Sequence, residues 1–167
     1  MHGVGKTTFC NCISKKYNLE HYSASSLISN YKNKPFDSLF IDEIVENQDV
    51  LVKIIRASFN NEKNYLLDGH FYLINKYKQP EQVPKGTFIN LGIKKIVVLT
   101  VDINTIYTRL KSRNNYEYDL NMLQDLNNKE LAYSQKIASI LNVPYICIDL
   151  SVMDDKCVSN KLIDFFD

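Results

Sequence analysis

Arginine is scarce in this chain and tryptophan is absent. Among 167 residues there are three arginines, Arg56, Arg109 and Arg113, and no tryptophan, so an arginine-dependent mechanism has few candidates. A large excess of either charge is missing as well: the formal net charge is +1. Proteins that bind nucleic acid or a membrane surface advertise it with a strongly basic balance, so neither partner is expected. No apolar run reaches the roughly 18 residues of a membrane span, and no signal peptide is recognisable. A cytoplasmic protein is the expectation. The cysteines Cys10, Cys12, Cys147 and Cys157 lack C-x-x-C spacing. Cys10 and Cys12, two apart on a helix, point to different faces. That spacing argues against a zinc site and predicts buried, reduced thiols. Repeats, low-complexity tracts and linkers are also lacking, so residues 1–167 read as one domain.

What is there begins at the first residue. Gly3-Val4-Gly5-Lys6-Thr7-Thr8 reads as the back half of a phosphate-binding P-loop, G-x-x-x-x-G-K-[ST]. In such a loop successive backbone N–H groups converge on phosphate oxygens, and the following helix adds its unpaired N–H groups and dipole. Gly3 and Gly5 allow close approach and positive φ. Lys6 is placed to reach the β- and γ-phosphates, and the Thr7 hydroxyl to ligate Mg²⁺. Thr8 completes the nucleotide-binding set. His2 contributes its backbone N–H rather than its ring. The first glycine of the pattern and the strand before it precede Met1, so the first strand is expected to be missing from the chain as given.

Beyond the loop, strand and helix patterns alternate. Lys6 to Tyr17 is helical, with Asn18 able to end it. Leu19 to Tyr22 reads as a short strand, and Ser23, Ser25 and Ser26 offer caps to a helix ending near Tyr31. Phe36 to Phe59 has helical spacing, divided in two by Asn47-Gln48-Asp49. Tyr65-Leu66-Leu67 is a strand ending at Asp68-Gly69-His70. Phe71 to Gly92 reads as irregular. Lys95 to Val101 is the clearest strand, apolar enough for the interior of a parallel sheet. Asp102 starts a helix with Ile106 and Leu110 inward. A polar stretch, Lys111 to Asp119, precedes a long helix with Leu120, Leu123, Leu131, Ala138 and Leu141 in one stripe. Pro144 to Ile148 is a strand, and Lys156 to Phe166 a closing helix. The alternation predicts an α/β, three-layer fold with a mostly parallel sheet, whose ligands bind beyond the carboxyl ends of the strands.

Chemistry concentrates at that edge. Asp68, at the end of an apolar strand, suits a Walker-B acid that holds Mg²⁺; the competing reading is a strand-end turn residue. Arg109 and Arg113, four apart, share a helix face, and positive charge there can stabilise a migrating phosphoryl group. His70 is a candidate for substrate contact or for a structural role. Lys129 and Lys136 are candidates for phosphate contact or solvated surface charges. Tyr116, Tyr118 and Phe71-Tyr72 are candidates for stacking on a base or for core packing.

With these residues in place the chain resembles the adenylate kinase-like P-loop kinases, especially the archaeal-type adenylate kinases and their bacterial ATP-binding relatives. The resemblance rests on His2 to Thr8, on Leu66 to His70 and on Arg109-Leu-Lys-Ser-Arg113. It implies a five-stranded parallel sheet, ATP and Mg²⁺ as cofactors, and transfer of the γ-phosphoryl group to a nucleoside monophosphate. By resemblance Arg109 lies against the adenine and Arg113 touches the phosphates. It also implies an acceptor segment at about residues 23–60 and a short lid at about 109–119. Two features depart from the pattern. Asn114 to Tyr118 contains no further arginine, and the acceptor segment offers Lys32 and Lys34 where the family has arginine. The alternatives are therefore an ATP-sensing subunit with a protein partner, or a kinase for a different small acceptor.

Overall fold

The computed structural model describes residues 1–34, 40–60, 62–114, 117–151, 162, 163, 165 and 166. They gather into two compact units, Thr7–Ile93 in one and Met1–Lys6 with Lys94–Asp167 in the other.

In the Thr7–Ile93 unit, helix α1 (Lys6–Tyr17) buries Cys10 and Ile13. It ends where Asn18 turns into the left-handed region at φ 51°, the conformation asparagine tolerates best after glycine. Strand β1 (Glu20–Ser23) pairs in parallel with β3 (Tyr65–Asp68), Glu20 opposite Tyr65 and Ser23 opposite Asp68. Between them run α2 (Ala24–Lys32), β2 (Phe40–Ile41) and α3 (Ile44–Ser58). Residues 35–39, the start of the expected helical stretch, lie outside the described residues. The expected division at Asn47-Gln48-Asp49 does not occur. α3 is one helix, and Asn47 and Gln48 are buried within it. The Asn47 side-chain amide donates to the Asp42 carbonyl at 2.9 Å, so a residue that would break an exposed helix is satisfied by the chain entering it.

Phe71 to Gly92, expected to be irregular, is ordered as a hairpin and a helix. β4 (Tyr72–Asn75) pairs antiparallel with β5 (Pro80–Gln82) and in parallel with β2. Asn75 Oδ1 closes the hairpin, accepting from the backbone N–H of Tyr77 and Gln79 at 3.0 and 3.1 Å. Pro80 opens an edge strand, where its missing N–H costs little. Pro84 precedes α4 (Lys85–Asn90), and Phe71 stacks on Phe88 with centroids 5.0 Å apart. The two prolines mark element starts here.

In the other unit, β6 (Ile96–Thr100) pairs in parallel with β7 (Tyr145–Asp149) along its whole length. Helix α5 (Ile103–Asn114) begins where Asp102 Oδ1 accepts from the Thr105 N–H at 2.9 Å. Hydrogen bonds from Thr105 hold the Asp102 carboxyl below its usual range. Ile106 and Leu110 are both buried, as their spacing predicts. Helix α6 (Leu120–Leu141) is capped by Asp119, which accepts from the Asn121 N–H. Its inward stripe differs from the one expected: Leu123, Leu126, Tyr133, Ile137 and Ala138 are buried with Asn127, Glu130 and Ser134, whereas Leu120 is exposed. Polar residues can occupy that stripe because they have partners. Ser134 Oγ donates to the Leu131 carbonyl, and Glu130 accepts from the Met1 amino group. The expected closing helix lies largely outside the described residues.

The alternation of helix and strand, with β1–β3 and β6–β7 as parallel pairs, is the α/β organisation that the sequence pattern predicts. Among the described residues hydrogen bonding groups the strands into three ladders, β1–β3, β2–β4–β5 and β6–β7. β2 and β5 are only two and three residues long. No described helix is long and apolar enough to cross a membrane.

The contrast between buried and exposed faces of α6 is directly testable. Leu123→Ala should cost about 2–5 kcal/mol in urea unfolding, because it opens a cavity at a fully buried position. Ile140→Ala, at an exposed position, should change stability by no more than about 0.5 kcal/mol.

Candidate functional site

The glycines of the loop take the conformations that the motif needs. Gly3 has φ 81° and Gly5 φ 103°, which a Cβ would strain. Gly3 also lies against α5: a Cβ there would meet Ile106 Cγ2, the Ile106 carbonyl oxygen and Leu110 Cγ, each at 3.4 Å. Val4, between them, is buried and anchors the turn. The Lys6 ammonium folds back to donate to the Met1 carbonyl at 2.7 Å. Thr7 and Thr8, in the first turn of α1, are exposed.

Arg109 and Arg113 lie on α5 but have different surroundings. Arg109 Nη1 donates to the Gly3 carbonyl at 3.0 Å and to the Val4 carbonyl at 3.2 Å. The guanidinium is therefore engaged with the loop backbone through one nitrogen. Arg113 is exposed and makes no hydrogen bond or ion pair among the described residues. The expected lid is helical at its start, since α5 extends to Asn114. Tyr116 lies outside the described residues.

Asp68 ends β3, as expected, beside Ser23 of β1. Its carboxylate has a partner that the sequence did not suggest: His21 Nε2 lies 3.0 Å from Asp68 Oδ2, with both side chains largely buried at 15% and 12% exposure. Cys10 of α1, one turn after Thr7, joins them, and its Sγ and the ligand atoms of His21 and Asp68 all lie within 4.8 Å of one another. The helix spacing of Thr7 and Cys10 (i, i+3) places both on one side of α1. Neither Cys10 nor His21 belongs to a recognisable spacing. The parallel register of β1 with β3 is what joins them, and only the hydrophobic pattern hinted at that pairing. The thiols themselves differ from expectation, since Cys10 is buried but Cys12 and Cys147 are exposed; Cys157 lies outside the described residues.

The remaining candidates fall to packing or to surface ion pairs. Lys129 pairs with Asp125 on the exposed face of α6, and Lys136 is exposed. Tyr118 is buried. His70 is half-buried. In the acceptor segment Lys32 Nζ meets Glu46 at 2.8 Å and Glu43 at 3.3 Å, while Lys34 is exposed. An open cleft of about 410 Å³ between Tyr22, Phe59 and Tyr65 sits at the amino ends of β1 and β3. That is the end of the pair away from Asp68, so the general rule for parallel sheets does not make it the ligand site.

A family model described as an AAA domain matches residues 1–126. The chain belongs to that family. The chain is similar to Adenylate kinase 2 of Plasmodium falciparum (isolate 3D7), 27% identical over 76% of this chain and 54% of the relative. The chain thus spans about half the length of the curated relative it matches.

The hydrogen bonds from Arg109 to the loop carbonyls make a specific expectation. Arg109→Ala should loosen the P-loop and weaken ATP binding by about tenfold, roughly 1.4 kcal/mol. Lysine should restore part of it, because both hydrogen bonds come from the single nitrogen Nη1 and an ammonium has donors enough for two carbonyls. Calorimetric titration of ATP into the folded variants measures both.

Proposed function

We propose that the protein is a phosphotransferase that moves the γ-phosphoryl group of ATP to a small acceptor, a nucleoside monophosphate. The observation that carries the reading is the Gly3–Thr8 loop, with positive φ at both glycines and its chain running directly into the N-terminus of α1. ATP with Mg²⁺ supplies the chemistry: the acceptor oxygen bonds the γ-phosphorus as the bond to the β–γ bridging oxygen breaks, leaving ADP.

The residues present fit that pair of cofactors. The loop N–H groups and the start of α1 form an anion site with no side-chain charge required. Lys6, now on the Met1 carbonyl, would exchange a neutral acceptor for anionic phosphate oxygens, a stronger partner. The Thr7 hydroxyl and the Asp68 carboxylate are hard oxygen donors of the kind Mg²⁺ prefers. Asp68 would act on the metal directly or through water, held in place by His21. Arg113, exposed at the end of α5, is the cation available for charge on the migrating group. Arg109 would hold the loop carbonyls in place, so that the N–H groups of the same peptides keep their direction.

A second reading has one observation in its favour: two of the cations the sequence suggests for this chemistry, Arg109 and Lys32, already have partners. A protein that binds ATP to order a surface, without transferring phosphate, would need no more. ATP turnover measured with and without a panel of nucleoside monophosphates separates the two. Acceptor-dependent ADP formation is expected. Tight ATP binding with no turnover on any acceptor would overturn the phosphotransferase.

Two variants test the roles. Arg113→Ala should lower kcat by roughly 10²-fold, on the order of 3 kcal/mol, with the KM for ATP changed much less, because its contact strengthens only in the transition state. Lys6→Ala should instead abolish most ATP binding in calorimetry while circular dichroism stays native.

A further inference from the structure

Cys10, His21 and Asp68 bring together a thiol, an imidazole and a carboxylate from three different elements, α1, β1 and β3. These are the ligand types of a zinc site with three protein ligands and an open fourth position. We propose that the cluster binds a thiophilic divalent cation of the zinc class.

Distances and burial support the fit. Metal–ligand distances of about 2.0–2.3 Å around a tetrahedral centre put neighbouring ligand atoms roughly 3.4–3.6 Å apart. His21 Nε2 and Asp68 Oδ2 are 3.0 Å apart, and no pair in the cluster exceeds 4.8 Å. Shifts of no more than about 1.5 Å, within reach of side-chain rotation, therefore complete the geometry. Cys10 is buried, His21 and Asp68 nearly so, which limits competition from water. β1 and β3 are held in register along four residue pairs, so two of the three ligands stand on a rigid frame. On binding, the Cys10 thiol gives its proton to solvent and its sulfur pair to the metal. His21 binds through Nε2 as a neutral imidazole whose one N–H is on Nδ1; a proton carried on Nε2 before binding is exchanged through solvent to Nδ1, with no net change for the ring.

Donor chemistry decides which cation. Mg²⁺ takes oxygen ligands and gains little from sulfur, whereas thiolate and imidazole favour zinc. The consequence for ATP turnover rests on the phosphotransferase reading: a zinc-class ion that takes Asp68 removes the carboxylate from Mg²⁺, so occupancy should inhibit.

The test begins without nucleotide. Zn²⁺ is titrated into the reduced full chain in competition with a chromophoric chelator. One equivalent should bind, and Cys10→Ser and His21→Gln should each weaken it by at least tenfold. Co²⁺ then reports the ligands directly. A thiolate-to-cobalt charge-transfer band is expected in the native protein and in a Cys12→Ser/Cys147→Ser/Cys157→Ser variant, and should vanish in Cys10→Ser. Circular dichroism checks each variant for folding. The triple variant keeps the test decisive if Cys10→Ser misfolds, because loss of its band would point to the other cysteines. Undiminished Zn²⁺ affinity in folded Cys10→Ser or His21→Gln overturns the proposal, as does a band that survives in Cys10→Ser. Turnover is read separately: zinc inhibition that chelator reverses and Cys10→Ser resists is the expected result. A protein that binds Zn²⁺ as described but never turns over ATP would sink the phosphotransferase and leave the metal site standing.

Discussion

The close packing of Gly3 on α5 is the constraint on which the loop depends. A peptide turn that offers its N–H groups to an anion must direct its carbonyls elsewhere, and an unpaired buried carbonyl is costly. Here the carbonyls of Gly3 and Val4 meet Arg109 Nη1. The missing Cβ of Gly3 lets the turn sit 3.4 Å from Ile106 and Leu110, so the guanidinium one turn along α5 reaches those oxygens. Apolar contact, conformational freedom and a charge-assisted hydrogen bond thus converge on two peptides. One arginine of a scarce set serves geometry.

Much of this was legible in the sequence because the signals were local. The P-loop fragment, the apolar run of β6, the inward Ile106 and Leu110, and the ending of α1 at Asn18 each depend on a few neighbouring residues. Errors came where a distant partner changed the meaning of a residue. Asn47 reads as a helix break until the Asp42 carbonyl accepts its amide. Glu130 and Ser134 can lie in the buried stripe of α6 because groups inside donate to one and accept from the other. Pro80 and Pro84 read as loop markers, yet they start a strand and a helix in which Asn75 has already closed the turn. The stripe of α6 was misjudged for the same reason: apolar spacing was counted, and buried polar residues were not.

The site follows the same division. Loop residues, Asp68 and the two arginines carry their chemistry in motifs. Cys10 and His21 do not, because their meeting with Asp68 requires β1 to lie beside β3 in the register that sets His21 opposite Leu66. Strand pairing of this kind is not written in the spacing of three ligands. An argument from C-x-x-C spacing tests only ligands supplied by one segment; it is silent on a thiol, an imidazole and a carboxylate delivered by three.

Asp68 is where the readings meet, and its surroundings limit what it can do. A carboxylate at the end of a parallel strand is well placed for Mg²⁺, but this one is largely buried and shares its oxygen with His21. Such a contact orients the carboxylate and also competes for it. A hard ion needs the carboxylate oxygens and leaves imidazole and thiol aside, whereas a zinc-class ion uses all three groups at once. Selection between them therefore lies with Cys10: sulfur adds affinity for the softer ion and almost none for magnesium. The position of one buried thiol beside an otherwise ordinary strand-end acid gives this P-loop domain a means of distinguishing cations that its phosphate-binding loop does not possess.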